Sequence, residues 1–462
     1  MAGESSLVMK LASYLPEVEP PKQKRLSFKE KLKWTGIVLG LFFILGMIPL
    51  YGLGPNYLEQ FEYLSIILGA KFGSLISLGI GPIVTASIVL QLLQGSGILK
   101  IDLNTKEGKQ YFQGLQKLLT IFFVVFESIV YVMMGGLRPA PGMSPWVLVI
   151  QLCMGGFFIM LMDEVVSKWG FGSGVGLFIA AGVSKTIAIS AFSWLPGTVA
   201  GVGQYASGAV PRLFQALRAA DPITAGLALA AILATLAVFL IAVYAQAMKI
   251  EIPLSFGRIR GHGVRWPLSF LYTSNIPVIL VAALLANIQL WARLLERANI
   301  PILGTFDAAG RAASGFVFWV SSPNIIGSVI KGSLTPVQIW QALAYMGFMI
   351  TGAVIFSLFW MKTSGLDPKS QAERIMASGL QVPGFRKDRR VLERLLGRYI
   401  LPLTVMGAIT VGFLAALADL TGALSRGTGI LLTVMIIYRL YEDITRQHLM
   451  DMNPLLRRFV KQ

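Results

Sequence analysis

Apolar residues along the chain gather into ten spans, at about 34–52, 74–94, 115–136, 145–165, 174–193, 223–247, 271–291, 334–360, 399–419 and 428–443. A helix needs ~20 residues to cross a hydrocarbon layer, and barrel strands are far shorter, so the pattern predicts ten membrane helices. The second span differs from the rest. Residues 73–97 read GSLISLGIGPIVTASIVLQLLQGSG, without a charge but with Ser74, Ser77, Thr85, Ser87 and Gln91 scattered through them. Gly79, Gly81 and Pro82 fall in its middle and predict a kinked helix. A polar, kinkable span is tolerated where it faces other protein or a water-filled path, so this helix should line something.

The intervals between spans carry their own patterns. Residues 53–72 are too short and too acidic to cross, with Glu59 and Glu62 opposite a helical face of Leu58, Phe61, Leu64 and Ile67. They predict a half-helix turning back towards the membrane. Residues 248–270 begin with the alternation of a hairpin strand, and 361–398 end in the basic, helix-like run GFRKDRRVLERLLGRY. Residues 194–222 and 292–333 are long loops rich in Gly, Pro and Ala.

Composition agrees with the spans: 55% of the 462 residues are hydrophobic and 14% charged, which places the chain among integral membrane proteins. Charge then orients it. With the N-terminus in the cytoplasm, 30 of the 40 Lys and Arg fall on the cytoplasmic side, as the positive-inside bias requires. The organisation expected is a cytosolic segment 1–33, a first half 34–193, an external connection 194–222, a second half 223–443 and a cytosolic tail 444–462. Residues 1–33 lack a cleavable secretory pattern, so the first span should be retained. The fold class expected is an all-α polytopic membrane protein, ten transmembrane helices in two inverted halves of five, N-in and C-in. The inversion rests on a faint repeat: Pro82-Ile83-Val84 and GFGSGVGLFI in one half, Pro277-Val278-Ile279 and SRGTGILLTV in the other.

Candidate chemistry is sparse. One cysteine, Cys153, excludes an intrachain disulfide, and His262 and His448 read as solvated loop residues, so no metal site is expected. No HExxH or phosphate-loop motif occurs. Asp163, Glu164 and Asp419 sit near span ends, where a solvated carboxylate is the ordinary reading. Glu127 lies mid-span, at a depth comparable to Thr85 and Asn287. The three either cement packing locally or form one polar cluster across a helix seam. Ile80, Val84, Val175, Ile179, Ile279 and Leu432 stand beside Gly or Pro in four spans, a placement that periodicity alone leaves ambiguous.

Five stretches change that. GIGPIVTASIVLQLLQGSG, DEVVSKWGFGSGVGLFIAAGVS, SNIPVILVAALLANIQLW, TSGLDPKS and GTGILLTV together resemble the SecY family, the large subunit of the Sec protein-conducting channel, nearer its archaeal and eukaryotic branch. The resemblance implies that Ile80, Val84, Val175, Ile179, Ile279 and Leu432 form a pore ring. It implies a plug from about Tyr57 to Leu68, including Leu58, Phe61, Leu64 and Ile67. Thr85, Glu127 and Asn287 would be the polar cluster of a lateral gate, and Arg258, Arg260, Arg386 and Lys387 would lie on the ribosome-docking surface. It further implies a SecE-like (gamma) and a Sec beta small subunit, ribosomes, the signal recognition particle pathway, and signal peptides and nascent chains as partners. No cofactor, metal or catalytic residue is implied. The membrane would be the plasma membrane of a prokaryote, or the endoplasmic reticulum in a eukaryote. The rival reading is a secondary transporter, which also uses inverted repeats but needs polar ligands converging at mid-depth. An intramembrane enzyme is a third, lacking a nucleophile or carboxylate pair.

Overall fold

The computed structural model describes residues 14–23, 26–56, 70–95, 98–99, 101, 105–197, 205–256, 263–273, 276–297, 300–307, 312–377, 380–381, 388–425 and 427–452. Among these, one principal helix stands on each of the ten apolar spans. Helix α1 (Phe28–Leu45) opens on a capping box: the Ser27 hydroxyl accepts the Glu30 N–H at 3.3 Å, and the Glu30 carboxylate accepts the Ser27 N–H at 3.2 Å. Strand β1 (Leu53–Asn56) follows, then α2 (Gly81–Gly95), α3 (Lys106–Met133), β2 (Leu137–Pro139), α4 (Pro145–Trp169) and α5 (Gly174–Phe192). The connection holds β3 (Pro196–Gly197), β4 (Tyr205–Ala206) and α6 (Ala209–Arg218). The second half comprises α7 (Pro222–Ala247), strands β5 (Lys249–Phe256) and β6 (Gly263–Ser269), α8 (Ile276–Arg297), the short α9 (Gly315–Trp319) and α10 (Ile325–Ile330), α11 (Pro336–Thr363), α12 (Pro368–Ala377), β7 (Leu380–Gln381), α13 (Arg389–Leu420) and α14 (Gly427–Met452). Pro145, Pro222 and Pro336 each begin a helix, where a missing N–H costs no hydrogen bond.

Seven of these helices are long and apolar enough to cross a membrane on composition alone. In α7 the most apolar window is only 17% buried, and Leu233, Leu236 and Leu240 are exposed. Apolar surface on that scale is ruinous in water and costs nothing against lipid tails. Helices α1 to α5 pack among themselves, through α1 on α4, α2 on α3 and α3 on α4. Helices α8, α11, α13 and α14 do likewise, with α7 on α14. The two sets meet mainly where α5 lies on α14 and where α2 lies on α8 and α11.

Three local expectations are corrected. Ser74 bridges to Pro49, residues 75–80 are turns, and the second helix begins at Gly81. Gly79 takes a φ of 54°, and the Ser77 hydroxyl accepts the Gly73 N–H at 2.9 Å, so a tight polar turn replaces the first helical turns. Pro82 therefore starts this helix instead of kinking it. Residues 53–56, expected to open a half-helix, form a strand, pairing Leu53 with Pro139 and Asn56 with Leu137. The sequence Leu-Gly-Pro-Asn has two residues that resist helix formation. Helix α14 also runs on to Met452, past the expected boundary at 443.

The hairpin expected after span six is present, β5 pairing with β6 from Lys249–Ser269 to Ser255–Gly263. β7 joins its other edge through Ser255–Gln381 and Phe256–Leu380. Ile252 and Leu268 of the hairpin share one apolar core with Ala372, Ile375, Leu392 and Leu396 from the second basic loop. The two loops are therefore one unit. α13 is a continuous helix from this core into span nine, so the unit is rigidly attached to the bundle.

Candidate functional site: an aliphatic waist and a polar seam

The six aliphatic residues come from α2 and the turn before it, α5, α8 and α14, and all six belong to one packed cluster. Ile80, Ile179 and Leu432 are each 1% exposed; Val84 and Ile279 are buried, and Val175 is partly so. On one side lies a cavity of about 840 Å³, whose wall includes Val84, Val175 and Ile279 together with polar Gln91, Gln116 and Arg439. The cavity wall is thus part aliphatic and part polar. Tyr272 also lines this cavity and donates its hydroxyl to the Leu366 carbonyl at 2.8 Å. That bond ties the approach to α8 to the loop after α11.

The polar trio also converges. Asn287 Nδ2 of α8 donates to Thr85 Oγ1 of α2 at 3.1 Å, and Thr85 Oγ1 stands 3.1 Å from Glu127 Oε1 of α3. The same hydroxyl lies 2.9 Å from the Gly81 carbonyl, and one proton cannot serve both acceptors at once. Glu127 is 5% exposed, and its Oε2 meets no hydrogen-bond partner among the described residues. Beside the trio, Gln116 Nε2 donates to Ser87 Oγ at 2.8 Å, and Phe126 stacks on Trp291 at 5.7 Å. The α2–α3–α8 seam is held by a few polar contacts, each worth about 0.6 kcal/mol in a membrane.

Other sites divide. Tyr57, Leu58, Phe61, Leu64, Ile67 and Leu68 lie outside the described residues, as do Arg258, Arg260, Arg386 and Lys387. The Asp419 carboxylate departs from its expected solvated state. It is 8% exposed and accepts the Thr428 N–H at 2.9 Å, the Tyr345 hydroxyl at 2.6 Å and the Thr428 hydroxyl. Asp163 is half-buried and accepts the Val175 N–H at 2.9 Å. The available signal was a carboxylate near the end of one span with a Gly-X-Gly opening the next. Glu164 is in an ion network, 3.3 Å from Lys117 and 2.9 Å from Lys168. Lys168 also holds Glu17 at 2.7 Å, and that bond keeps the Glu17 carboxyl below the usual range. Among the described residues no group of three or more His, Cys, Asp or Glu could hold a metal ion.

A mostly helical membrane bundle in two sets, with a part-polar, part-aliphatic cavity among them, fits a channel subunit. Comparison with known proteins gives the particular kind. Residues 74–441 match the SecY family. The chain is 46% identical to the protein translocase subunit SecY of Methanothermobacter thermautotrophicus, over 97% of each chain. It superimposes on a solved protein-conducting channel with a TM-score of 0.82 and 43% identity, covering 95% of this chain and 97% of that one. A SecY structure described as showing that its plug stabilises the closed state matches with a TM-score of 0.81 at 44% identity, over the same shares of the two chains. Sec61 in the canine ribosome–channel complex of the endoplasmic reticulum matches with a TM-score of 0.78 at 43% identity, again over 95% and 97%. The chain belongs to the SecY family, the channel-forming subunits of protein translocase. The resemblance carried by its five sequence stretches is borne out.

Proposed function

We propose that this chain is the central pore of a translocation channel, passing unfolded polypeptides through its waist and releasing apolar segments sideways through the α2–α3–α8 seam. The observation that supports this is a cavity whose wall carries Val84, Val175 and Ile279 from α2, α5 and α8, with Ile80, Ile179 and Leu432 buried in the same core. A passenger presents every side-chain type, so the constriction must hold none of them strongly. Aliphatic side chains offer no hydrogen bond or charge, and an empty apolar neck dewets and resists ions. A passenger segment that is apolar enough gains about 25 cal/mol per Å² on moving into lipid, so sorting is a partition between vestibule and bilayer. An ion-coupled transporter would place polar ligands where this chain has isoleucine, valine and leucine. Crosslinking a stalled nascent chain to probes at Ile80 and Ile279 tests the path: both should label. Labelling of neither would overturn it.

In this reading both termini are cytosolic, no chemical step occurs on the chain, and energy comes from a partner. The segment from Tyr57 to Leu68 acts as the plug. The exposed α7, with Leu233, Leu236 and Leu240, offers the apolar face for a SecE-like subunit, with a Sec beta subunit flanking. Ribosomes dock on the unit formed by the two basic loops. That site is supported by the shared core of those loops and by the likeness to a channel solved on a ribosome. Rigid attachment through α13 would fix the mouth of the vestibule relative to the docked particle. Attraction between cationic loops and RNA phosphate falls steeply with salt. Reversing charge at Arg258, Arg260 and Arg386 should weaken ribosome binding and flatten its salt dependence in a co-sedimentation titration. Equal binding by parent and variant would remove the docking assignment.

A further inference from the structure

Helices α5 and α14 open alike, as Gly174-Val175-Gly176 and Gly427-Thr428-Gly429. In each, the second residue's N–H is taken by a carboxylate from the long helix before it. Val175 donates to Asp163 Oδ1 of α4 at 2.9 Å, and Thr428 donates to Asp419 Oδ1 of α13 at 2.9 Å. A carboxylate satisfies an otherwise orphaned donor there and lies at the positive end of the helix dipole. The approach is close: a Cβ on Gly174 would stand 2.5 Å from Asp163 Cα. Asp419 is fixed in turn by the Tyr345 hydroxyl of α11, 2.6 Å away, and by the Thr428 hydroxyl.

The two capped helices pack on each other in one antiparallel register. A Cβ on Gly172 would meet Leu440 Cδ2 at 3.2 Å, one on Gly176 would meet Ile436 Cγ2 at 3.6 Å, and one on Gly429 would meet Val183 Cγ2 at 3.2 Å. Each step up one chain is matched by an equal step down the other. The crossing is therefore centred beside Ile179 and Leu432, two of the three waist residues that these helices carry. Each of them stands one turn beyond its capped residue, Ile179 after Val175 and Leu432 after Thr428. Next to Leu432 is Thr433, a buried hydroxyl with no hydrogen-bond partner among the described residues. Turning α14 by one position, about 100°, would exchange leucine for that hydroxyl at the waist.

We infer that Asp163 and Asp419 are paired positioning residues, each pinning the start of one helix so that Ile179 and Leu432 meet at the constriction. This rests on the waist reading given above. The test is the resting ion conductance of the purified channel complex in planar bilayers, read beside a waist control, Ile279→Ser. Asp163→Ala and Asp419→Ala should each raise conductance severalfold. Asp163→Asn should restore the parent value, because its amide oxygen still accepts the Val175 N–H; a general structural role for the charge would not be rescued so. If the alanine variants fail to assemble, Tyr345→Phe and Thr428→Val each remove one donor to Asp419 and should give smaller rises. A leaky Ile279→Ser beside tight variants at 163, 345, 419 and 428 would overturn the positioning role and leave the waist standing. An Asp163→Asn as leaky as the alanine would overturn the capping mechanism. A tight Ile279→Ser would overturn the waist reading itself.

Discussion

Replacing Ile80, Val84 or Ile279 with serine raises the ion conductance of the resting channel, and the largest rise is expected where the parent side chain is most enclosed. Ile80 is 1% exposed and Ile279 7%, so each fills space that serine leaves open. Loss of about three methylene equivalents removes roughly 2.4 kcal/mol of apolar burial, at ~0.8 kcal/mol each, and adds a hydroxyl that wets the neck. Dewetting is a threshold property of narrow apolar constrictions, so a wider, polar one should conduct. Ile80→Val and Ile279→Val should remain tight, since they keep the surface aliphatic. Conductance of the serine variants equal to the parent, measured at matched channel density in planar bilayers, would take the waist out of the mechanism.

The seam should respond in two opposite directions. Asn287→Ala removes the donor to Thr85 and leaves a poorly joined gate, so mildly apolar signal segments should enter lipid more readily. Thr85→Val combined with Glu127→Leu and Asn287→Leu instead makes the joint apolar. Parting it then wets surface that water had tolerated before, at about 1.5–3 kcal/mol for a leucine side chain. Each 1.4 kcal/mol is a factor of ten, so insertion of marginal segments should slow by about tenfold or more. Strongly apolar segments should be less affected, because their own gain in lipid exceeds the added cost. Insertion rates of a graded series of signal segments give the readout. A shift of both variants in the same direction, or none, would show that this seam is not where segments leave.

How much of this was legible varies by element. The ten spans could be read directly, because membrane helices satisfy their backbone internally and need only length and apolarity. The Ser27–Glu30 cap and the β5–β6 hairpin follow from short-range signals. The start of α2 could not be read. Gly79 and Pro82 interrupt a helix or begin one equally well, and hydrogen bonds of Ser74 and Ser77 around the preceding turn made the choice. Asp419 was misleading for a related reason. Position near a span end says nothing about whether Tyr345, 74 residues away, supplies a donor.

Chain order alone determined that this is a helical membrane protein, because apolarity and span length are sums over local residues. Tertiary structure alone decided that Thr85 meets Asn287 202 residues away, that the basic loops share a core, and that α5 crosses α14 at Ile179 and Leu432. Such pairings depend on which helix faces pack together. In a bilayer almost every face is apolar, so composition cannot rank one packing above another, and only a few polar contacts and glycine clearances select it.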